Sequence, residues 1–231
     1  MLDSRRFGQW SPGRGCCRRG DAVDEAAAAR RFGFKGEVVP GVGFAGTRVT
    51  PVIQPDPTEV RRREQTGLGA VLDFGLTDRL AELPVDWPVP RDDLDPATQR
   101  LLDTAPPGVV EETATAVIRR WRPAVTLTGV LLVAGGQWRV GLRNVSLFAP
   151  DAPRGLVLRQ QPRDESGLRA EARELGVGVI APDAAGSWRL LLEPLRDLAY
   201  DPGPRHWRLL ELTYLVWRER AYAGNAVQLF K

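Results

Sequence analysis

The sequence predicts an α/β protein: a mixed sheet flanked by helices in the C-terminal part, with a smaller mixed α+β region before it. Three observations predict it. Beyond Gly108, strand-like and helix-like patterns alternate, the order expected of strands and helices packed in layers. Within that part, VTLTGVLLVA, GLVLRQ, GVGVIA and WRLLLEP read as strands, separated by QWRVGLRNVSLFA, SGLRAEAREL and the turn PDAAGS. Before residue 84, short capped helices are mixed with extended segments rich in Val, Gly and Pro.

Taken in order, residues 1–20 read as a disordered basic tail, rich in Gly and Arg with little to bury. Residues 21–31 (DAVDEAAAARR) predict a helix with Asp21 as its N-cap. Residues 38–53 are β-branched and punctuated by Gly and Pro, so extended segments joined by turns are expected. Asp56 and Pro57 start a second helix over 57–65, and 77–83 is a third helical piece. Residues 21–83 thus form the small N-terminal region. Prolines crowd 84–107, where Asp95 and Pro96 open a short helix through Leu102; the stretch reads as a connector.

Residues 108–122 (GVVEETATAVIRRWR) carry two signals. Val110, Ala114, Val117, Ile118 and Trp121 share one helical face, whereas the Val and Thr content favours a strand. The bounding prolines favour the helix, which is the expectation taken forward. Gly135-Gly136 could close a hairpin. Trp138, Leu142, Val145 and Ala149 recur at helical spacing, however, with Arg139 and Arg143 on one flank, so a helix is expected there too. Residues 206–223 are apolar nearly all round the first three turns, the pattern of a helix packed into a core or against a partner. Trp207, Leu210, Tyr214 and Trp217 form its stripe.

Composition narrows the chemistry. The chain has 32 Lys+Arg against 29 Asp+Glu, a net charge of +3, and lysine occurs only at Lys35 and Lys231. Such arginine usage follows from GC-rich coding alone, although the guanidinium fork also suits phosphate. One histidine, His206, excludes two-histidine mechanisms; at the start of a helix it is expected to cap or to face solvent. Cys16 and Cys17 are adjacent and without further cysteines, so free thiols are expected rather than a disulfide or zinc site. No apolar run approaches the roughly 20 residues that cross a bilayer, and the basic start lacks the apolar stretch of a secretory signal. A cytoplasmic protein without membrane contact is expected. Gly41, Gly43 and Gly46 match the spacing of a dinucleotide loop, but they lead into TRVTPVIQP rather than a helix, so a Gly-rich turn is expected.

In LLVAGGQWRVGLRNVSLFA, then GLVLRQ, then LRAEARELGVGVIA, the segment resembles the PD-(D/E)XK nuclease-like superfamily. Small bacterial members of that superfamily place an acid-x-lysine strand before a helix that often begins near W-R. The resemblance spans about 70–100 residues of the C-terminal part and is one of pattern. Where acid-x-lysine would stand, this chain has Leu132, Val133 and Ala134, which can neither hold a divalent metal nor activate water. Lys35 and Lys231 are remote in sequence.

The resemblance therefore implies a degenerate nuclease-like domain, over about 108–231, that binds DNA or RNA or scaffolds a DNA-processing complex without a cofactor. Arg61, Arg62, Arg63, Arg119, Arg120, Arg139 and Arg143 are its expected phosphate contacts. Pairing with Glu59, Glu64, Glu111 and Glu112 on solvated helix faces is the competing reading of the Arg61–Arg63 and Arg119–Arg122 clusters. One alternative is a Mg²⁺- or Mn²⁺-dependent nuclease with a migrated site at Glu111, Glu112 or Asp73, toward which Gln137 or Arg139 would lean. The other is a protein-interaction subunit or homodimer contacting through the 206–223 helix.

Overall fold

The computed structural model describes residues 23–149, 151–196 and 203–228. The basic tail and both cysteines lie outside them, as does Asp21. The first helix, α1 (Glu25–Arg31), is capped instead by Asp24, whose carboxylate accepts from the Ala27 amide. Strands β1 (Glu37–Val38), β2 (Val42–Phe44) and β3 (Thr47–Pro55) follow. The Gly-rich run closes the β2–β3 hairpin at Ala45 and Gly46, both with positive φ, and opens no helix.

Asp56 caps α2 (Pro57–Thr66) with Pro57 in its first turn, and Gly67 ends it in the left-handed region. Helix α3 (Phe74–Glu82) begins three residues before the expected piece, because Asp73 accepts from the Leu76 amide. Then come β4 (Pro88–Pro90), a 3-10 turn at Arg91–Asp93, α4 (Pro96–Asp103), β5 (Val110–Glu112) and β6 (Ala116–Arg119). The alternating part is as its pattern reads: β7 (Val125–Ala134), α5 (Trp138–Ser146), β8 (Arg154–Leu158), α6 (Glu165–Glu174), β9 (Val177–Pro182) and β10 (Trp188–Leu192). Helix α7 (Pro204–Gln228) completes the described chain.

The described strands form an α/β arrangement around a seven-stranded mixed sheet, ordered β1-β3-β7-β8-β9-β10 with β2 on β3. Strands β7, β8 and β9 are parallel, joined by α5 and α6, and the other pairs are antiparallel. Alternation along β7 sends Leu132 to the face covered by α5, α6 and α7, with Leu142, Leu156, Leu168, Val179 and Tyr214. Leu131 points the other way, to Phe32, Phe34, Val52, Val157 and Ile180 beside α1.

Residues 108–122 correct the expected helix. Pro106 and Pro107 do bound an element, but it is a hairpin in which Glu111 pairs with Ile118 and Glu112 with Val117. Strand β4 adds to its other edge, placing Val89 opposite Val117. A partner strand from the proline-rich stretch decides between the two local signals, so the β-branched content prevails over the helical spacing. The stretch 84–107 contributes more than a link: Leu102 of α4 is buried in a second core with Leu80, Val109, Val117 and Trp121. The parts on either side of that stretch share the main sheet, because β3 pairs with β7 over Thr50–Pro55.

Candidate functional site

Two arginines of the expected phosphate-binding set are interior. Arg63 points inward from α2 and is fully buried. Its Nε donates to Glu59 at 2.9 Å, Nη1 and Nη2 donate to the two carboxylate oxygens of Glu211 at 2.9 and 2.7 Å, and Nη2 reaches the Arg122 carbonyl at 2.6 Å. Burial opposes its charge, but the hydrogen bonds and attraction of Glu211, then Glu59, outweigh burial and raise its pKa above the ordinary arginine value. Arg119 is also buried, donating to the carbonyls of Leu80, Leu83 and Trp121 and packing against both the Trp121 and the Trp207 rings. Burial first, then the neighbouring Arg122, push its pKa down to about 10. Neither guanidinium faces a phosphate from where it sits.

The other expected contacts divide. Arg62 is held by Glu59 and the Gly108 carbonyl, and Arg120 by Glu111 and Asp86, the surface pairing that competes with phosphate. Arg61 and Arg143 are exposed. Arg139 is exposed too, with Glu171 at 3.0 Å. His206, expected to cap or to face solvent, is buried with its Nδ1 3.5 Å from Asp151. The Trp207 stripe is spent on the protein's own core: Trp207 meets Trp121 in a tilted contact at 4.8 Å, Tyr214 meets Trp217 likewise at 5.9 Å, and Leu210 and Tyr214 are buried.

The carboxylates of the nuclease alternative do not assemble. Glu111 and Glu112 are successive residues of β5 and so point to opposite faces; Arg120 binds the first and Arg91 the second. Asp73 is committed to capping α3. At the end of β7, Leu132, Val133 and Ala134 supply no donor atom from their side chains. Among the described residues no three His, Cys, Asp or Glu come together as metal ligands. The described residues do not fit a Mg²⁺ or Mn²⁺ centre.

What the fold does build is a crevice at the carboxyl ends of β7 and β8, the end of parallel strands where α/β sheets take ligands. The chain leaves β7 at Ala134, turns through Gly135-Gly136 and enters α5. Side chains at the two glycines would meet nothing within 4 Å, so the turn is open to solvent. Gln137 makes no capping hydrogen bond, which leaves the first amides of α5 without a side-chain acceptor. Two adjoining clefts of about 370 and 390 Å³ share this turn. Arg48 of β3 and Asn144 line the first; Arg139, Gln160, Gln161 and Arg163 line the second. Arg139 lies over the Trp138 ring at 4.2 Å. The one carboxylate in the lining, Asp164, caps α6 at the Gly167 amide; that bond and the Ser166 hydroxyl hold its pKa below the ordinary aspartate value.

Gln137 and Arg139 line the crevice, away from Glu111, Glu112 and Asp73. Arg48 and Arg163 were not among the expected contacts. Arg163 stands just beyond the GLVLRQ strand and was legible from that position, whereas Arg48 arrives only through the β3–β7 pairing. No helix among the described residues is long and apolar enough to cross a membrane. No protein-family model matches the chain, and neither do any curated protein or solved structure.

Proposed function

We propose that this chain binds nucleic acid without cleaving it, through the crevice at the ends of β7 and β8. One observation carries the reading: three arginines and several amide side chains surround an open Gly-Gly turn, while the end of β7 lacks the carboxylate and lysine with which the nuclease-like superfamily it resembles holds metal and activates water. The guanidinium forks of Arg48, Arg139 and Arg163 suit phosphate oxygens. Trp138 is largely covered, so it supports Arg139 rather than offering a stacking face.

Fluorescence anisotropy with labelled single- and double-stranded DNA and RNA, titrated with salt, tests the binding. The log–log salt slope is expected to fall by about one unit in Arg139→Gln and in Arg163→Gln. Arg61→Gln, on α2, leaves it unchanged. Absence of binding at low salt, or a slope indifferent to both crevice variants, overturns the reading. Metal-dependent nicking of a plasmid overturns its non-catalytic part.

A second reading, a protein-interaction subunit, is favoured by Trp87, which is 68% exposed beside exposed Val85. It moves the contact from the α7 stripe to the edge of the small sheet. Under that reading, Trp87→Ser abolishes capture of a partner while leaving the salt-dependent affinity for nucleic acid intact.

A further inference from the structure

Arg154 opens β8 at the end of the strand away from the crevice, about 13 Å from Leu158 by strand rise. It is 4% exposed, yet among the described residues it has no hydrogen-bond acceptor and no carboxylate partner, and its Nε is orphaned. The contrast with the other buried arginines is sharp in kind. Arg63 has two carboxylates and Arg119 three carbonyls, whereas Arg154 has only its burial, which lowers its pKa. Its Nε is thus a buried donor without an acceptor, which is costly, and such a group calls for an explanation.

The surroundings indicate what that is. The Nη2 of Arg154 lies 3.3 Å from the position a Cβ on Gly176 would take, and Leu195 Cβ lies 3.0 Å from the same position. Gly176 and Leu195 therefore separate the guanidinium from a cleft of about 310 Å³, at the low end of small-molecule sites. Leu175, Leu192, Pro194 and Leu195 give the cleft apolar walls, and Leu175 and Leu195 are exposed. Arg173, Glu174 and Glu193 form its rim. A Leu195 methyl carbon, Cδ2, lies 3.2 Å from the same position, and rotation of this exposed side chain on a picosecond to nanosecond scale moves that methyl off the wall in front of the guanidinium.

We propose that Arg154 anchors a second binding site, independent of the crevice, for a small monocarboxylate with an apolar body. The guanidinium fork matches a carboxylate in pairs. The leucine walls take up the hydrocarbon, and the two rim glutamates disfavour a ligand carrying further negative charge. A monocarboxylate meets all three conditions and a phosphate dianion fails the last two.

Thermal unfolding of the full chain with sodium hexanoate tests the site, with hexanol and inorganic phosphate as comparison probes. Hexanoate at ten times its Kd is expected to raise Tm by about 3–6 °C, with no rise from hexanol or phosphate. Arg154→Met removes the unpaired charge, so the ligand-free variant melts at or above the wild type, and its hexanoate shift is lost. Leu195→Asp, a surface change that leaves the fold intact, places a negative charge over the guanidinium and also abolishes the shift. Equal hexanoate shifts in the wild type and Arg154→Met, or none in the wild type, overturn the proposal. So does an equal response to phosphate. A ligand-free Arg154→Met that melts well below the wild type also overturns it, because Arg154 would then serve an acceptor of the chain itself.

Discussion

Glu211 illustrates how much rests on one side chain. Its carboxylate accepts two hydrogen bonds from Arg63, one from the Trp121 indole and one from the Val71 amide, all in the interior. Glu211→Ala leaves a buried guanidinium with one carboxylate instead of two, together with an orphaned indole N–H and amide. The expected cost is about 3–5 kcal/mol, read as a lower urea midpoint with an unchanged m-value. The double variant Arg63→Met/Glu211→Leu removes both charges and is expected to be more stable than Glu211→Ala, which a double-mutant cycle would measure. Little of this was legible in the sequence. Glu59 and Arg63, four apart on a helix, read as a surface ion pair, and the acid that makes the pair interior stands 148 residues further on. Arg119 was obscure for the same reason, since the Leu80 and Leu83 carbonyls at the end of α3 help to hold it.

At the scale of elements, what is local was legible and what depends on a partner was not. Asp56-Pro57 and Asp95-Pro96 announce α2 and α4, and both aspartates cap as their position implies. The order from β7 to β10 follows from apolar runs that need no distant information. Strands β5 and β6 were hidden because β4, the strand that secures β6, lies in a proline-rich stretch with no strand pattern of its own. The open turn before α5 was legible, but the arginine that β3 carries to it was not.

Two predictions belong at this scale. A Cβ on Gly141 would stand 2.7 Å from Leu156 Cδ1 and 2.9 Å from Ala134 Cβ, because α5 sits close against β7 and β8. Gly→Ala inside a helix ordinarily stabilises; here Gly141→Ala is expected to destabilise by about 1–3 kcal/mol, measured by urea unfolding. Hydrogen bonds from the Thr98 hydroxyl, then the Thr98 and Ala97 amides, hold the Asp95 carboxyl below its ordinary value. A carboxyl lowered in the folded state contributes stability that is complete above its unfolded pKa, near 4, and is lost as pH falls through the folded one. Asp95→Asn is therefore expected to flatten the fall in Tm below about pH 4 while changing little at neutral pH.

The whole molecule is joined in two ways. β3 lends the main sheet a strand from before the proline-rich stretch, and α7 packs against both cores, with Leu210 in the larger and Trp207 against Trp121 in the smaller. A fragment of residues 108–231 would leave one edge of β7 unpaired and the second core without α3 and α4. It is expected to show no cooperative urea transition, whereas the full chain shows one transition that coincides by tryptophan fluorescence and far-UV circular dichroism. A fragment that melts cooperatively would show that the C-terminal part is an independent folding unit. The clasp between α2 and α7 also bears on how the chain is made. A ribosome adding about 5–20 residues per second needs about 7–30 s to travel the 148 residues from Arg63 to Glu211. During that interval the guanidinium must remain hydrated and the inner side of α2 must stay open. Completion of the interior therefore waits for translation of the last helix, and a nascent chain stalled before it is the form a chaperone would meet.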